Sequence, residues 1–338
     1  MNHHLSEKSG IALVLPGAVS RGAYEAGVLG VVAEKGLKIR RIVATSSGAL
    51  NGVAYAAGIR RGLEKEMASA LATNWIEHGT WRDSLALKPS SWLRGKGFSG
   101  NAGLLSMLRE IVSPCPANAA KQEIELRIVV AAMNGVQGSI GKTPATTFEK
   151  VLRFSGVDFD TQEGLERIFQ CASAACAFPG LYAAVELPGL GPCFDGGTVN
   201  NTPIAYALEE GDIDRVIVPI PSPSLLGPPG VPSGAGLAKH LIEVLVNERM
   251  FRDLRDAQMI NERVEVLDAL VEKGVLTPAQ LKAVKRALPY RTVDVLEVRP
   301  EQQLEGTLFS GFMSRKARVE FIRQGREAGE SCLGRSLK

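Results

Sequence analysis

Residues 39–52 read Ile-Arg-Arg-Ile-Val-Ala-Thr-Ser-Ser-Gly-Ala-Leu-Asn-Gly. Ile39, Ile42 and Val43 form a β-branched stretch, and small residues from Ala44 onward lead into a helical pattern. A serine at the top of a tight strand-to-helix turn has its hydroxyl pushed out of the backbone. The residues two before and two after it come close together and must be small. Ala44 and Gly48 meet that requirement around Ser46, whereas Ser47 would be flanked by Thr45 and Ala49. The helix after the turn aims its N-terminal amides at negative charge developing beside the serine. The run therefore predicts a strand–turn–helix unit with Ser46 as candidate nucleophile. The bland alternative is an ordinary α/β turn, since most such turns hold no catalytic serine.

Two further segments bear on that choice. Upstream, Ile11–Leu15 reads as a buried strand, residues 16–22 (Pro-Gly-Ala-Val-Ser-Arg-Gly) as a turn, and Ala23 onward as a helix. A glycine-bearing turn entering a helix can present backbone N–H groups to an anion. Gly17-Ala18-Val19 lacks the G-x-G spacing of a dinucleotide loop and no Walker lysine follows, which argues against nucleotide binding. Downstream, Asp195-Gly196-Gly197 reads either as a plain turn or as a carboxylate held on a tight loop beside the serine, a candidate general base.

In this order the segments resemble the patatin-like phospholipase family. The matching residues are Arg21-Gly22-Ala23-Tyr24-Glu25-Ala26-Gly27-Val28-Leu29, then Thr45-Ser46-Ser47-Gly48-Ala49-Leu50-Asn51, then Asp195-Gly196-Gly197 with Asn201-Thr202-Pro203. Ala177-Phe178-Pro179-Gly180-Leu181-Tyr182 is similar to the family's segment shortly before the aspartate. The resemblance implies a Ser–Asp dyad hydrolase acting on lipid acyl esters, with Ser46 as nucleophile and Asp195 as base. It implies an oxyanion hole from the amides of Gly17, Ala18 and Val19. Arg21 would shape that loop or hold a phosphate, with Gly22, Gly48, Gly196 and Gly197 in supporting places. No metal and no cofactor is implied, and the chain has neither a Cys/His cluster with zinc spacing nor an EF-hand loop.

The chain departs from the family pattern twice. Ala44 stands where the elbow usually begins with glycine, and Ala18 and Val19 stand where the oxyanion loop usually carries glycines. A β-branched residue at positive φ is strained, so the loop is expected to take another conformation or to work less well. Losing one oxyanion donor costs about a hundred- to a thousandfold in rate.

Histidine usage independently favours a dyad. Of His3, His4, His78 and His240, only His240 follows the serine and aspartate in the chain order of an α/β-hydrolase triad, and it sits in a helical pattern that suits surface or packing use. A lone carboxylate is far less basic than imidazole, so partial desolvation of Asp195 would have to raise its pKa.

Length and composition fit one large folded unit with a helical appendage: 338 residues, 45% of them apolar. A net charge of +3 is too small to imply nucleic acid and does not oppose contact with anionic lipid. Cys115, Cys171, Cys176, Cys193 and Cys332 are odd in number and lack paired motifs, so they read as reduced thiols. The apolar run 11–19 could be mistaken for a signal-peptide core, but it is short and is followed by the glycine-bearing loop, and no stretch reaches a membrane span. The expectation is a cytoplasmic or peripheral membrane protein that meets lipid substrate, admits peripheral membrane contact and admits a protein activator.

Strands are expected at 10–15, 39–44, 124–132, 183–187 and 214–220. Helices are expected at 21–35, 47–58, 61–76, 101–113, 162–175 and 202–210. This alternation predicts an α/β fold with a mainly parallel central sheet and helices on both faces, plus a C-terminal helical segment. The functional loops then fall at the carboxyl ends of the strands. The expected organisation is a catalytic α/β domain over 1–220, a Pro/Gly-rich linker or loop over 221–236, and a helical part over 237–338 packed on the catalytic domain. In that last part, Leu241, Val244, Leu245, Phe251 and Leu254 recur at helical spacing, Val293–Val298 can add a strand, and Arg315–Glu330 reads as a final helix. Trp75, Trp81 and Trp92, with Lys88, Arg94 and Lys96, suit either a buried structural role or a lipid–water interface. The functional expectation is a phospholipase A or lysophospholipase. The rivals are a carboxylesterase or acyltransferase on other acyl donors, and a non-catalytic lipid-binding or regulatory protein on the same scaffold.

Overall fold

The computed structural model describes residues 10–80, 83, 86–87, 99–100, 102–140, 143–223, 235–287 and 292–336. Trp81, Trp92, Lys88, Arg94, Lys96, most of the Pro/Gly-rich stretch and the side chains of His240, Leu241 and Leu245 lie outside the described residues.

The apolar run Gly10–Leu15 forms β1 and Ile39–Ala44 forms β2, its parallel neighbour. The remaining strands of the same sheet are β3 (Glu125–Ile140), β4 (Thr143–Ser155), β5 (Val185–Leu187), β6 (Gly191–Asp195), β7 (Ile213–Pro219) and β8 (Asp294–Val298). Their order is β8-β7-β1-β2-β3-β6-β5, with β4 paired to β3. The five strands from β8 to β3 run parallel, while β4, β5 and β6 join antiparallel. A short antiparallel pair, Ala86–Leu87 with Ser99–Gly100, lies apart.

The helices are α1 (Gly22–Glu34), α2 (Ser47–Arg61), α3 (Glu64–His78), α4 (Ala102–Ile111), α5 (Gln162–Ala175), α6 (Ile204–Leu208), α7 (Ala235–Glu272), α8 (Pro278–Ala287), α9 (Ser310–Met313) and α10 (Arg315–Ser336). Side chains alternate across a strand, so a sheet covered on both sides must present two apolar faces. Leu13, Leu15, Ile42 and Ala44 join the core beneath α1, α2, α3, α5 and α10. Ala12, Val14 and Val43 join a second core with Ile204 and Ala207 of α6 and Met250 and Leu254 of α7. The central sheet is thus mostly parallel, with helices on both faces and further helices at the C-terminal end.

The long arm of β3 and β4 differs from expectation. β3 runs eight residues beyond the expected end and β4 was not anticipated at all. The side chains of β4 are largely exposed, so no buried face imposes an alternating apolar pattern on it. β6 was missed for a related reason: its five residues hold Gly191 and Pro192, which read as turn formers. At the other edge, β8 pairs in parallel with β7, placing a strand from beyond the Pro/Gly-rich stretch in the same sheet. α10 lies so close to α1 that a Cβ on Gly27 would meet Ile322 O at 2.2 Å and one on Gly325 would meet Tyr24 O at 2.1 Å. Trp75 is buried in the core and Val244 is exposed on α7. Among the described residues no helix is long and apolar enough to cross a membrane.

Candidate active site

Ser46 sits between the end of β2 and the start of α2, at φ 50° and ψ −133°. A non-glycine residue there is uncommon and strained, and that strain turns the side chain out of the strand. The turn is tight because α2 begins against the end of β1: a Cβ on Gly48 would lie 2.2 Å from Leu15 O. The Ala44 methyl that replaces the usual glycine is accommodated against Gly52, where a side chain would crowd it at 3.1 Å.

Asp195 reaches the serine through the register of β3. β4 occupies one edge of β3, and β2 and β6 share the other, end to end. Ala44 pairs with Ile128 and Asp195 with Val130, so the two loops emerge side by side. The Ser46 hydroxyl donates to Asp195 Oδ2 at 2.7 Å, and the Gly197 amide donates to Oδ1 at 2.8 Å. Thr198 Oγ1 closes the turn on the Asp195 carbonyl at 2.7 Å. A side chain on Gly196 would strike Val129 O at 2.1 Å, which keeps the turn flat against β3. Burial raises the pKa of Asp195 from 3.8 to about 7, with the Ser46 and Gly197 hydrogen bonds opposing that rise.

Among the described residues, Val19 is the other non-glycine residue at positive φ, 54°. The loop does not avoid positive φ by taking another conformation, as one of the two expectations had it, and the neighbouring residues hold Val19 in place. Gly17 N donates to Asn201 Oδ1 and Asn201 Nδ2 donates back to Gly17 O, both at 3.1 Å. Ala18 N donates to Ser47 Oγ at 2.9 Å. Ser20 N and Oγ both donate to Leu308 O. Of the three loop amides, Gly17 and Ala18 are thus engaged by side chains, and neither Asn201 nor Ser47 takes that of Val19. Arg21 is buried, gives its Nη2 to the carbonyls of Leu304 and Gly306, and is not among the residues that line the cleft. Gly22 opens α1 and offers its carbonyl to Asn51 Nδ2 at 2.9 Å.

Val19, Ser46 and Asp195 line one partly open, mainly apolar cleft with a cavity volume of about 50 Å³. Leu50, Trp75, Met107, Phe178 and Leu181 line it. Behind Ser46, Trp75 Nε1 donates to Asn51 Oδ1 at 2.8 Å and Asn51 Nδ2 donates to Glu25 Oε2 at 2.7 Å. Burial holds the Glu25 carboxyl well above its ordinary range. Cys176 Sγ donates to the Ser46 carbonyl at 2.8 Å, and burial followed by the Asp195 and Glu25 charges pushes its thiol pKa up. Sequence reading missed these supports. Asn201 stands in the matching Asn-Thr-Pro run, but the sequence does not say which backbone groups its side chain meets. Glu25 and Cys176 give no local signal. Among the described residues no group of His, Cys, Asp and Glu converges as a metal site would require.

The sequence profile of a family described as Patatin-like phospholipase matches residues 13–208. Comparison with curated proteins gives no match. Among solved structures, the crystal structure of VipD from Legionella pneumophila is similar at 14% identity, over 96% of this chain and 66% of that one, with a TM-score of 0.41.

Proposed function

Because the chain belongs to the patatin-like phospholipase family, a family of lipid acyl hydrolases, we propose that it cleaves fatty acyl esters of phospholipids or lysophospholipids through a Ser46–Asp195 dyad. The observation that carries this reading is the 2.7 Å hydrogen bond from Ser46 Oγ to Asp195 Oδ2 in the lining of an apolar cleft.

In the proposed reaction Asp195 takes the Ser46 proton as Oγ attacks the ester carbonyl. A carboxylate with a pKa of about 7 is a far better base than one in water, and it is substantially ionised at neutral pH. The developing oxyanion lies by the Val19 amide and the first amides of α2, whose helix dipole favours negative charge there. Gly17 and Ala18 contribute by fixing the loop. The alcohol leaves with the proton, giving an acyl-enzyme, and water activated by the same carboxylate then releases the fatty acid and regenerates Ser46. The apolar cleft receives the acyl chain, and a substrate held in bilayers brings the protein into peripheral contact with membranes.

One observation favours a second reading, a lipid-binding protein on the same scaffold: two of the three loop amides are already engaged. A panel of phospholipids and lysophospholipids assayed by mass spectrometry separates the two. The hydrolase reading expects free fatty acid from the wild type and none above background from Ser46→Ala. Equal release from both, or release from neither, contradicts it.

A further inference from the structure

The family profile matches residues 13–208, yet part of the cleft beside Ser46 is built by side chains from far beyond that region. Phe309 and Phe312 both line it. They flank and occupy the single turn of α9 (Ser310–Met313). Phe309 is 8% exposed, Phe312 packs partly buried on the main core, and the next residue, Met313, is 75% exposed. Phe309 thus stands deeper and Phe312 nearer the surface.

This segment is fastened to the loop that carries Val19. Ser20 Oγ donates to Leu308 O at 2.5 Å and accepts from Gly311 N at 3.0 Å, while Ser20 N donates to Leu308 O at 3.1 Å. Arg21 Nη2 bridges the carbonyls of Leu304 and Gly306 at 3.3 and 3.0 Å. On the far side, Arg318 holds Gly311 O and, through Nε and Nη2, Ile76 O at the end of α3. Val19 is therefore held between Ala18, pinned to Ser47, and Ser20, pinned to the distal segment.

We infer that residues 304–313 are a built-in wall of the active site, in which Phe309 and Phe312 determine the length of fatty acyl chain accepted and Ser20 acts as a positioning residue for Val19. The inference rests on the acyl-hydrolase reading above. A chain seated beside Ser46 must pass an apolar wall with few polar groups, so the space left by the two rings limits how many methylenes are buried. Each methylene seated is worth about fourfold in affinity. Removing a ring therefore lengthens the preferred chain, and enlarging one shortens it. Ser20 touches no substrate, so its loss affects every chain length alike.

The test compares p-nitrophenyl octanoate with the palmitate ester on full-length protein. Phe309→Ala is expected to raise the palmitate-to-octanoate ratio of kcat/KM by about tenfold or more, and Phe312→Trp to lower it. Phe309→Leu serves if the alanine variant does not fold. Ser20→Ala is expected to lower kcat on both esters by a similar factor while KM and the ratio stay as in the wild type. An unmoved ratio in both phenylalanine variants overturns the wall. An unchanged kcat, or a shifted ratio, in Ser20→Ala overturns the positioning role. Calorimetric binding of octanoate and palmitate in the Ser46→Ala background separates this inference from the catalytic reading. If the wild type hydrolyses neither ester, the catalytic reading fails and Ser20 loses its role with it. Tighter palmitate binding in Phe309→Ala then still supports the wall, and binding that is absent or unaltered overturns it.

Discussion

Val19 and Ser46 share a positive φ, which β-branched and ordinary residues avoid. Ser46 turns its hydroxyl to Asp195, and Val19 stands between two neighbours that are clamped on either side. A strained backbone residue costs on the order of 1–3 kcal/mol, while glycine would cost about 0.5–1 kcal/mol in chain entropy. Val19→Gly is accordingly expected to leave thermal stability unchanged or slightly raised, where a valine-to-glycine change in an unstrained loop would lower it. A clear drop in melting temperature would show that Val19 is not strained in solution. Ser46 was legible from sequence because its turn demands small flanks. Asp195 was legible only through its order relative to the elbow, since Asp-Gly-Gly alone is a common turn. The clamps by Asn201 and Ser47 were not legible, because which side chain caps which amide depends on the loops meeting.

At the scale of elements, β3 does the positioning. One of its edges carries β2 and β6 in succession, which is why a strand end and a distant turn arrive together. The parallel strands could be read from their buried apolar runs. The antiparallel additions could not, because β4 is largely exposed and β6 is short and rich in turn formers. The contact of α1 with α10 gives a paired prediction. Gly325→Ala pushes a methyl toward Tyr24 O at 2.1 Å and is expected to destabilise the fold by about 3 kcal/mol or more. Gly334→Ala, on the same helix with nothing within 4 Å, should stabilise by about 0.5 kcal/mol. Thermal unfolding of both variants checks the pair, and equal effects would mean that α10 does not pack on α1 as described.

Across the whole molecule, activity and stability pull against each other at Asp195. Its folded-state pKa of about 7 stands above the ordinary 3.8, so the folded protein binds more protons than the unfolded chain between those values. The stability this lends is complete below about pH 4 and is lost as pH rises through 7. Asp195→Asn carries no such charge. Its stability relative to wild type is expected to improve by on the order of 3 kcal/mol across that interval, as denaturant titrations at acidic and alkaline pH would show. A difference that does not change with pH would place the carboxylate in contact with water. The sheet, its two covered faces and the meeting of Ser46 with Asp195 could be anticipated from periodicity and motif order. The wall from residues 304–313 could not, because a lone pair of phenylalanines carries no signal of the cleft that they will face.

The account depends on Ser46 becoming nucleophilic through Asp195. The most direct measurement is the rate of fluorophosphonate labelling against pH, with the modified residue mapped by mass spectrometry. The account predicts label on Ser46, a rate that climbs as pH rises through about 7 with Asp195 ionisation, and a loss of at least about a thousandfold in Asp195→Asn. Label on another residue, or equal labelling of the wild type and Asp195→Asn, would contradict it.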